Sequence, residues 1–283
     1  MKWLKRLAVL VIVALAACYA LGVCPFDGGA DKMAAALLTA EKNAAATPTL
    51  YKEFKTTDVE LGYKVQNAYV DARLKTEKIA GYKGALTAKP LMEKFGASDP
   101  ATAVLFESGR FAEGSVITLS RKGIMLEEEV GFRFGKKIDK PLKDAAELKA
   151  CVSAVFPAIE VPLVAFETLN GVTAFDMIAA NVGSWGYIIG TEMPLDNLDL
   201  NAVEMKATCN GEAFNAGKGS DALGDQWKAL LWIVNNVVKH GRTVDPGQIV
   251  ISGAMGAMKP AKPGSYAVDF GSLGTISFEV KAQ

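Results

Sequence analysis

The sequence predicts an α+β fold, and three observations carry that reading. Short apolar runs of strand length are interspersed with helical stripes, without the regular βαβ order of a parallel α/β sheet. Asn210-Gly211 stands between two alternating segments, the strongest short-range hairpin signal. The 27 glycines in 283 residues supply the tight turns that a strand-rich chain needs. Half of the residues are apolar, enough for a substantial core in one large or two small domains. No internal repeat is present and no linker follows Pro48, so one domain is expected. Lys+Arg and Asp+Glu are equal at 31 each, which leaves no net basic charge to neutralise phosphates, and nucleic-acid binding is not expected.

The N-terminus reads as a separate object. Lys2, Lys5 and Arg6 form a positive region, and an uncharged run from Leu7 to Val23 follows, the architecture of an export signal. Within it Leu15-Ala16-Ala17-Cys18 resembles a bacterial lipobox, which would leave Cys18 lipidated as the new N-terminus. The alternatives are an uncleaved membrane anchor, the run being near the lower limit for spanning a bilayer, or cleavage further on, near Gly22. The expected location is therefore the periplasmic side of a bacterial membrane as a lipoprotein, or the soluble periplasm. Incorporation of a palmitate analogue that is lost in Cys18→Ala tests the anchor. Residues 1–24 form this segment, 25–56 a tether and helix, and 57–283 the functional domain. With Cys18 lipidated, Cys24, Cys151 and Cys209 are an odd set that cannot all pair internally. Cys151 and Cys209 are read as structural, without metal spacing.

Along the body, Asp31 to Ala46 is an Ala-rich helix or tether. Thr57 can cap a helix with Glu60 completing a capping box, and Leu61, Val65, Ala68, Tyr69 and Ala72 give that helix one apolar face. Ile79 to Thr87 is an apolar segment with glycines on both sides of Lys83, which let a backbone or ligand approach closely. That lysine is either an exposed strand-end charge, as composition alone favours, or a cation facing a site. A short helix at Pro90 to Phe95 and strands near Val104 to Phe106 and Ser115 to Leu119 follow. Leu126 to Phe134 is a strand, and Pro141 to Phe156 carries Leu142, Ala145, Leu148, Cys151, Val152 and Val155 at helical spacing, ending at Pro157. Ala158 to Val161 is a short strand with Glu160 embedded in it. Asp176 can cap a turn of helix running to Asn181, and Trp185 to Gly190 is a buried strand. The hairpin at Asn210-Gly211 spans Val203 to Gly217. A helix from Asp225 carries Trp227, Leu230, Leu231, Val234 and Val238 on one side and ends at His240-Gly241. Gln248 to Ser252, Tyr266 to Phe270 and Thr275 to Val280 close the chain as strands.

The chemistry concentrates in Glu127-Glu128-Glu129. On a strand, successive side chains face opposite sides, so Glu127 and Glu129 share one face while Glu128 faces away, to the outside. Like charges on one face of a strand that otherwise looks buried are costly unless a cation or a shared proton compensates them. The other reading is a solvated charge run, which these residues alone favour. Glu160, a third carboxylate in an interior context, shifts the balance towards a metal site.

This order of segments resembles the 2-keto-4-pentenoate hydratase family of the fumarylacetoacetate hydrolase superfamily. The likeness runs from about Thr57 to Val280. It rests on Gly81-Tyr82-Lys83 with Leu86-Thr87, Glu127-X-Glu129-Val130-Gly131-Phe132, Pro157-Ala158-Ile159-Glu160, Asn210-Gly211-Glu212 with Gly217, Leu230-Leu231-Trp232, Gly247-X-Ile249-Val250-X-Ser252-Gly253 and Leu273-Gly274. The resemblance implies a mixed β-sandwich or roll with flanking helices, a divalent cation held by Glu127, Glu129 and Glu160, and a catalytic lysine at Lys83. An all-oxygen ligand set suits Mg²⁺ or Mn²⁺. It further implies a hydratase or decarboxylase acting on a small 2-keto or 2-hydroxy-dienoic acid, and a homo-oligomer. The contrasting reading is a lipid-anchored binding or scaffold protein that retains the fold without turnover. Hydrolase members of the superfamily add a histidine that activates water, and the one histidine here, His240, sits at a helix end, so C–C hydrolysis is not expected. The sequence departs from the family pattern at Pro162 to Ala165, where an acidic residue and an arginine are usual, at Ala180 in place of aspartate, at Gly253-Ala254 in place of Gly-Ser, and at Gly84-Ala85.

Overall fold

Two curled sheets and seven helices follow from these segments in a computed structural model that describes residues 28–195 and 198–283. Cys18, Cys24 and the whole export segment lie outside the described residues. Among the described residues, no helix is long and apolar enough to cross a membrane.

The helices are α1 (Gly28–Lys42), α2 (Leu50–Phe54), α3 (Val59–Arg73), α4 (Lys89–Phe95), α5 (Ala145–Lys149), α6 (Ala174–Ala179) and α7 (Gln226–Lys239). The larger sheet holds β1 (Ile79–Ala85), β2 (Ala101–Phe106), β3 (Arg110–Phe111), β5 (Met125–Phe134), β6 (Val152–Val161), β7 (Gly186–Ile189) and β10 (Ile249–Ala254), after the intervening β4 (Val116–Leu119), β8 (Glu204–Cys209) and β9 (Glu212–Lys218) are set aside. Its order is β2-β1-β10-β5-β6-β7-β3, with β11 (Lys259–Pro260) added beside β5. The smaller sheet runs β4-β13-β12-β8-β9, with β12 at Gly264–Asp269 and β13 at Thr275–Ala282. Most pairs are antiparallel, as the absence of βαβ alternation predicts. The hairpin turn between β8 and β9 has positive φ at both Asn210 (54°) and Gly211 (80°), the requirement of a type I′ turn.

The core is shared by the sheets and the helices laid on them. Leu230, Ile233, Val234 and Val237 give α7 a buried face against β1, β2 and β10. Val65, Tyr69 and Val70 of α3 pack with Ala30, Met33, Ala34 and Leu37 of α1, so the Ala-rich segment is a packed helix. Gly241 follows α7 in the left-handed region with φ 82°, as its position predicted.

Several local readings are corrected. The helix expected from Pro141 to Phe156 is only the five-residue α5, capped by Asp144 and followed at Val152 by β6. Its apolar spacing was ambiguous between periods, and β-branched Val152 and Val155 fit a pleated strand that pairs with β5 on one side and, at Val155, with Met193 on the other. Pro157 does not end that element. It sits inside β6 where the ladder towards β7 is irregular, with the Gly190 N–H donating to the Pro157 carbonyl at 2.9 Å and Met193 pairing with Val155. Helix α3 is capped by Asp58, whose carboxylate accepts from the Glu60 N–H at 2.9 Å, and not by Thr57. Glu60 turns instead to Lys239 and His240. Thr173 caps α6, with Asp176 completing the capping box from the third helical position. Cys151 and Cys209 are free thiols.

Candidate metal centre

Strand register brings the carboxylates together. β5 and β6 run antiparallel with Glu127 directly opposite Glu160, and Glu129 lies two residues along β5 on the same face. One oxygen from each of the three glutamates lies within 4.8 Å of the others. Glu129 and Glu160 are wholly buried, while Glu127 is partly exposed and lines a cavity of about 460 Å³.

Lys83 reaches this cluster from β1, across β10 and β5, because the sheet curls. It is 1% exposed, so the exposed strand-end reading is excluded. Its ammonium is ion-paired with Glu160 and donates to the Val182 carbonyl at 2.9 Å. An ammonium has three donors, and with two directed to these acceptors the third is available on the side where Lys83 lines the cavity.

Two backbone features complete the cluster, and neither was visible in the sequence. Between Ile251 and Ala254 the β10 register shifts against β5. Gly253, with φ 109°, turns its N–H to Glu129 Oε2 at 2.7 Å, and a Cβ there would lie 2.5 Å from Thr87 Oγ1. Asn181 and Val182 both have positive φ (50° and 46°), which for a β-branched valine is a strained conformation costing on the order of 1–3 kcal/mol. The kink is held by the Asn181 side-chain amide, which pairs with the Val104 N–H and carbonyl of β2 at 2.8 and 2.9 Å. It presents the Val182 carbonyl to Lys83. Ser252 adds support below the cluster, its hydroxyl donating to Gln226 Oε1 at 2.6 Å.

The electrostatics are those of an anion cluster with too few cations. Burial, followed by the charge of Glu160, pushes the Glu127 carboxyl up to about 8, with Lys83 opposing. Glu129 is held well above the usual carboxylate range by burial and then by Glu160 and Glu127. Among the described groups, Glu129 Oε1 and Glu160 Oε2 are buried without a hydrogen-bond partner, a costly arrangement for carboxylate oxygens that a hard cation would relieve. The donor set, three carboxylates with a partly open face at Glu127, therefore fits a divalent oxygen-seeking ion.

Glu128 does face away from the other two, as strand alternation requires, but not to the outside. It is 1% exposed, accepts from the Asn215 amide of β9 at 2.6 Å, and is pushed up to about 7 by burial. The face opposite the cluster is itself covered by the β8–β9 hairpin. His240 caps the end of α7, with Nδ1 2.8 Å from the Asn236 carbonyl and its ring stacked on Tyr63, and it lines a different cavity.

Comparison with known proteins bears on the family and the fold. The Fumarylacetoacetate (FAA) hydrolase C-terminal family model matches residues 88–281. The chain belongs to the fumarylacetoacetate hydrolase family. Its similarity extends beyond the matched segment: 2-keto-4-pentenoate hydratase of Paraburkholderia xenovorans is 26% identical over 256 residues, covering 89% of this chain and 95% of that protein. The 2-oxo-hept-4-ene-1,7-dioate hydratase of Escherichia coli is 25% identical, covering 84% and 92%. The solved structure of 4-oxalocrotonate decarboxylase from Pseudomonas putida G7, complexed with magnesium and adipate, shares the fold at 22% identity and a TM-score of 0.82, over 89% of this chain and 97% of that one. Of the positions at which the resemblance implied a departure from the family pattern, Ala85, Pro162, Val164 and Ala254 line the cavity above Glu127.

Proposed function

We propose that the protein is a divalent-metal-dependent lyase, a hydratase or decarboxylase, acting on a small 2-keto or 2-hydroxy-dienoic acid. The observation that carries this reading is the convergence of Glu127, Glu129 and Glu160 with Lys83 beneath one cavity, which Lys83 and Glu127 line. Hydratase relatives along most of the chain support the reaction class, and a magnesium complex of a protein with the same fold supports the choice of Mg²⁺ or Mn²⁺.

Glu129 and Glu160 would hold the ion from the buried side and Glu127 from the cavity side. A bound divalent cation supplies a Lewis acid for the carboxylate and adjacent oxygen of the acid. The remaining work falls to the chain. Gly253 fixes the Glu129 carboxylate through its N–H. Glu160 and the Val182 carbonyl fix the Lys83 ammonium, whose third N–H then orients the acid or moves a proton during tautomerisation. The apolar walls exclude water from the tail of the acid, leaving the floor as the polar end of the site.

The test is an ultraviolet assay with 2-hydroxypenta-2,4-dienoate and Mg²⁺ or Mn²⁺, preceded by metal analysis of the purified protein. Metal-dependent consumption of the dienoate is expected. Bound metal without turnover of this or any 2-keto acid would favour a binding protein that keeps the fold.

A further inference from the structure

Gly253, Ala254, Gly256, Ala257 and Met258 line the cavity, so the end of β10 and the loop that leads to β11 form one of its walls. The wall starts at the residue whose N–H holds the Glu129 carboxylate. Its shape therefore bears on what the cavity admits above the glutamates.

The wall is fastened from the smaller sheet. The Asn215 side-chain amide of β9 donates both to Glu128 Oε2, at 2.6 Å, and to the Ala257 carbonyl, at 2.8 Å. An amide nitrogen carries two N–H donors, and these contacts use both. Asn215 thereby ties the loop to the buried face of β5 that points away from the glutamate cluster. The Met255 N–H donates to the Glu128 carbonyl at 2.7 Å, and Asp221, just beyond β9, accepts from the Gly256 N–H at 3.0 Å. At Gly217 the two backbones meet directly: a Cβ there would stand 2.3 Å from the Gly256 nitrogen. Asn215 and Gly217 themselves lie outside the cavity lining.

We propose that Asn215 is a positioning residue of the site. By bridging Glu128 and the Ala257 carbonyl it sets the wall from Gly253 to Met258, and with it the fit of the bound acid, while touching neither acid nor ion. The proposal rests on the keto-acid reading above and adds control of that site from the smaller sheet. The hairpin signalled by Asn210-Gly211 thus gains a part in function. The β5–β6 ladder places the three glutamates independently of the loop, so loss of the bridge should be felt by the acid far more than by the metal.

Asn215→Ala removes both contacts from a half-buried position on an edge strand. Three quantities are measured on the whole chain: hydrogen exchange at the Met255 and Gly256 amides, calorimetric Mn²⁺ affinity, and the affinity of the Mn²⁺-loaded protein for 2-oxopentanoate. Exchange should quicken at least about tenfold and the acid should bind about tenfold more weakly, the scale of one or two lost hydrogen bonds, with Mn²⁺ affinity within about threefold of the parent. Gly217→Ala displaces the loop without removing a hydrogen bond, should show the same split between acid and ion, and decides the matter if Asn215→Ala does not fold. Unchanged exchange and acid affinity would overturn the proposal. So would Mn²⁺ and acid affinities falling together, the mark of a general loss of structure. If 2-oxopentanoate does not bind the Mn²⁺-loaded parent, the keto-acid reading fails and exchange alone decides: protection kept in Asn215→Ala overturns the bridge, and protection lost upholds it.

Discussion

Glu160→Gln is expected to weaken Mg²⁺ or Mn²⁺ binding by more than about 100-fold and to abolish metal-dependent turnover. Replacing an outer partner of a metal ligand already costs about 10–100-fold in affinity or activity, and Glu160 stands at the centre of the proposed ligand set. It lies opposite Glu127 across the β5–β6 ladder, carries the ion pair with Lys83, and aims Oε2 where no protein group among those described meets it. Glutamine keeps the shape and one acceptor oxygen for Lys83 but removes the charge and turns donors towards the cluster. Because the volume is conserved, far-ultraviolet circular dichroism should be unchanged, which separates loss of the ligand from loss of the fold. Unaltered metal affinity and rate in this variant would remove Glu160 from the site.

Lys83→Met is expected to destabilise the metal-free protein by about 3–5 kcal/mol, the usual result of deleting one partner of a buried ion pair, and to abolish turnover. Lys83 and Glu160 are both buried, and Lys83 also opposes the raised carboxyl groups of Glu127 and Glu129. Saturating Mg²⁺ should restore a large part of the loss, since the ion substitutes for the missing positive charge. The same cluster sets the pH dependence of the unaltered protein. Glu127, pushed up to about 8, and Glu129, also raised, hold protons in the folded state that the unfolded chain releases near its ordinary carboxylate range. The metal-free protein should therefore lose stability as pH rises from about 5 to 8, and added metal should flatten that slope. Urea melts at pH 5.5 and 8, with and without Mg²⁺, check both statements. A Lys83→Met protein as stable as the parent without metal would contradict the assigned ion pair.

The three glutamates were legible because strand alternation is a short-range rule. Glu127 and Glu129 had to share a face, and Glu160 stood out as a charge within an apolar run. Their mutual distance was not legible from spacing, since it depends on the β5–β6 register, and the family resemblance supplied it. Lys83 was ambiguous on composition because a buried lysine depends on partners from distant segments, here Glu160 and the Val182 carbonyl. The outward placement of Glu128 failed for a related reason: alternation tells which face a side chain takes, not whether the β8–β9 hairpin covers that face. The misread helix before Pro157 shows tertiary pairing overriding a weak period, with β5 pairing along a segment whose spacing also fitted a helical stripe. Val182 gave no signal, because a valine predicts against the left-handed conformation that it adopts. Gly253 was noted as part of a motif, but its N–H contact with Glu129 arises from a register shift that sequence does not encode locally.

The central claim is that Glu127, Glu129 and Glu160 form one divalent-metal site. Its most direct measurement is a calorimetric titration of Mn²⁺ into the metal-free protein, run beside Glu160→Gln. The account predicts one ion per chain in the unaltered protein and none at the same concentrations in the variant. Absence of binding to the unaltered protein, or equal binding to both, would contradict it.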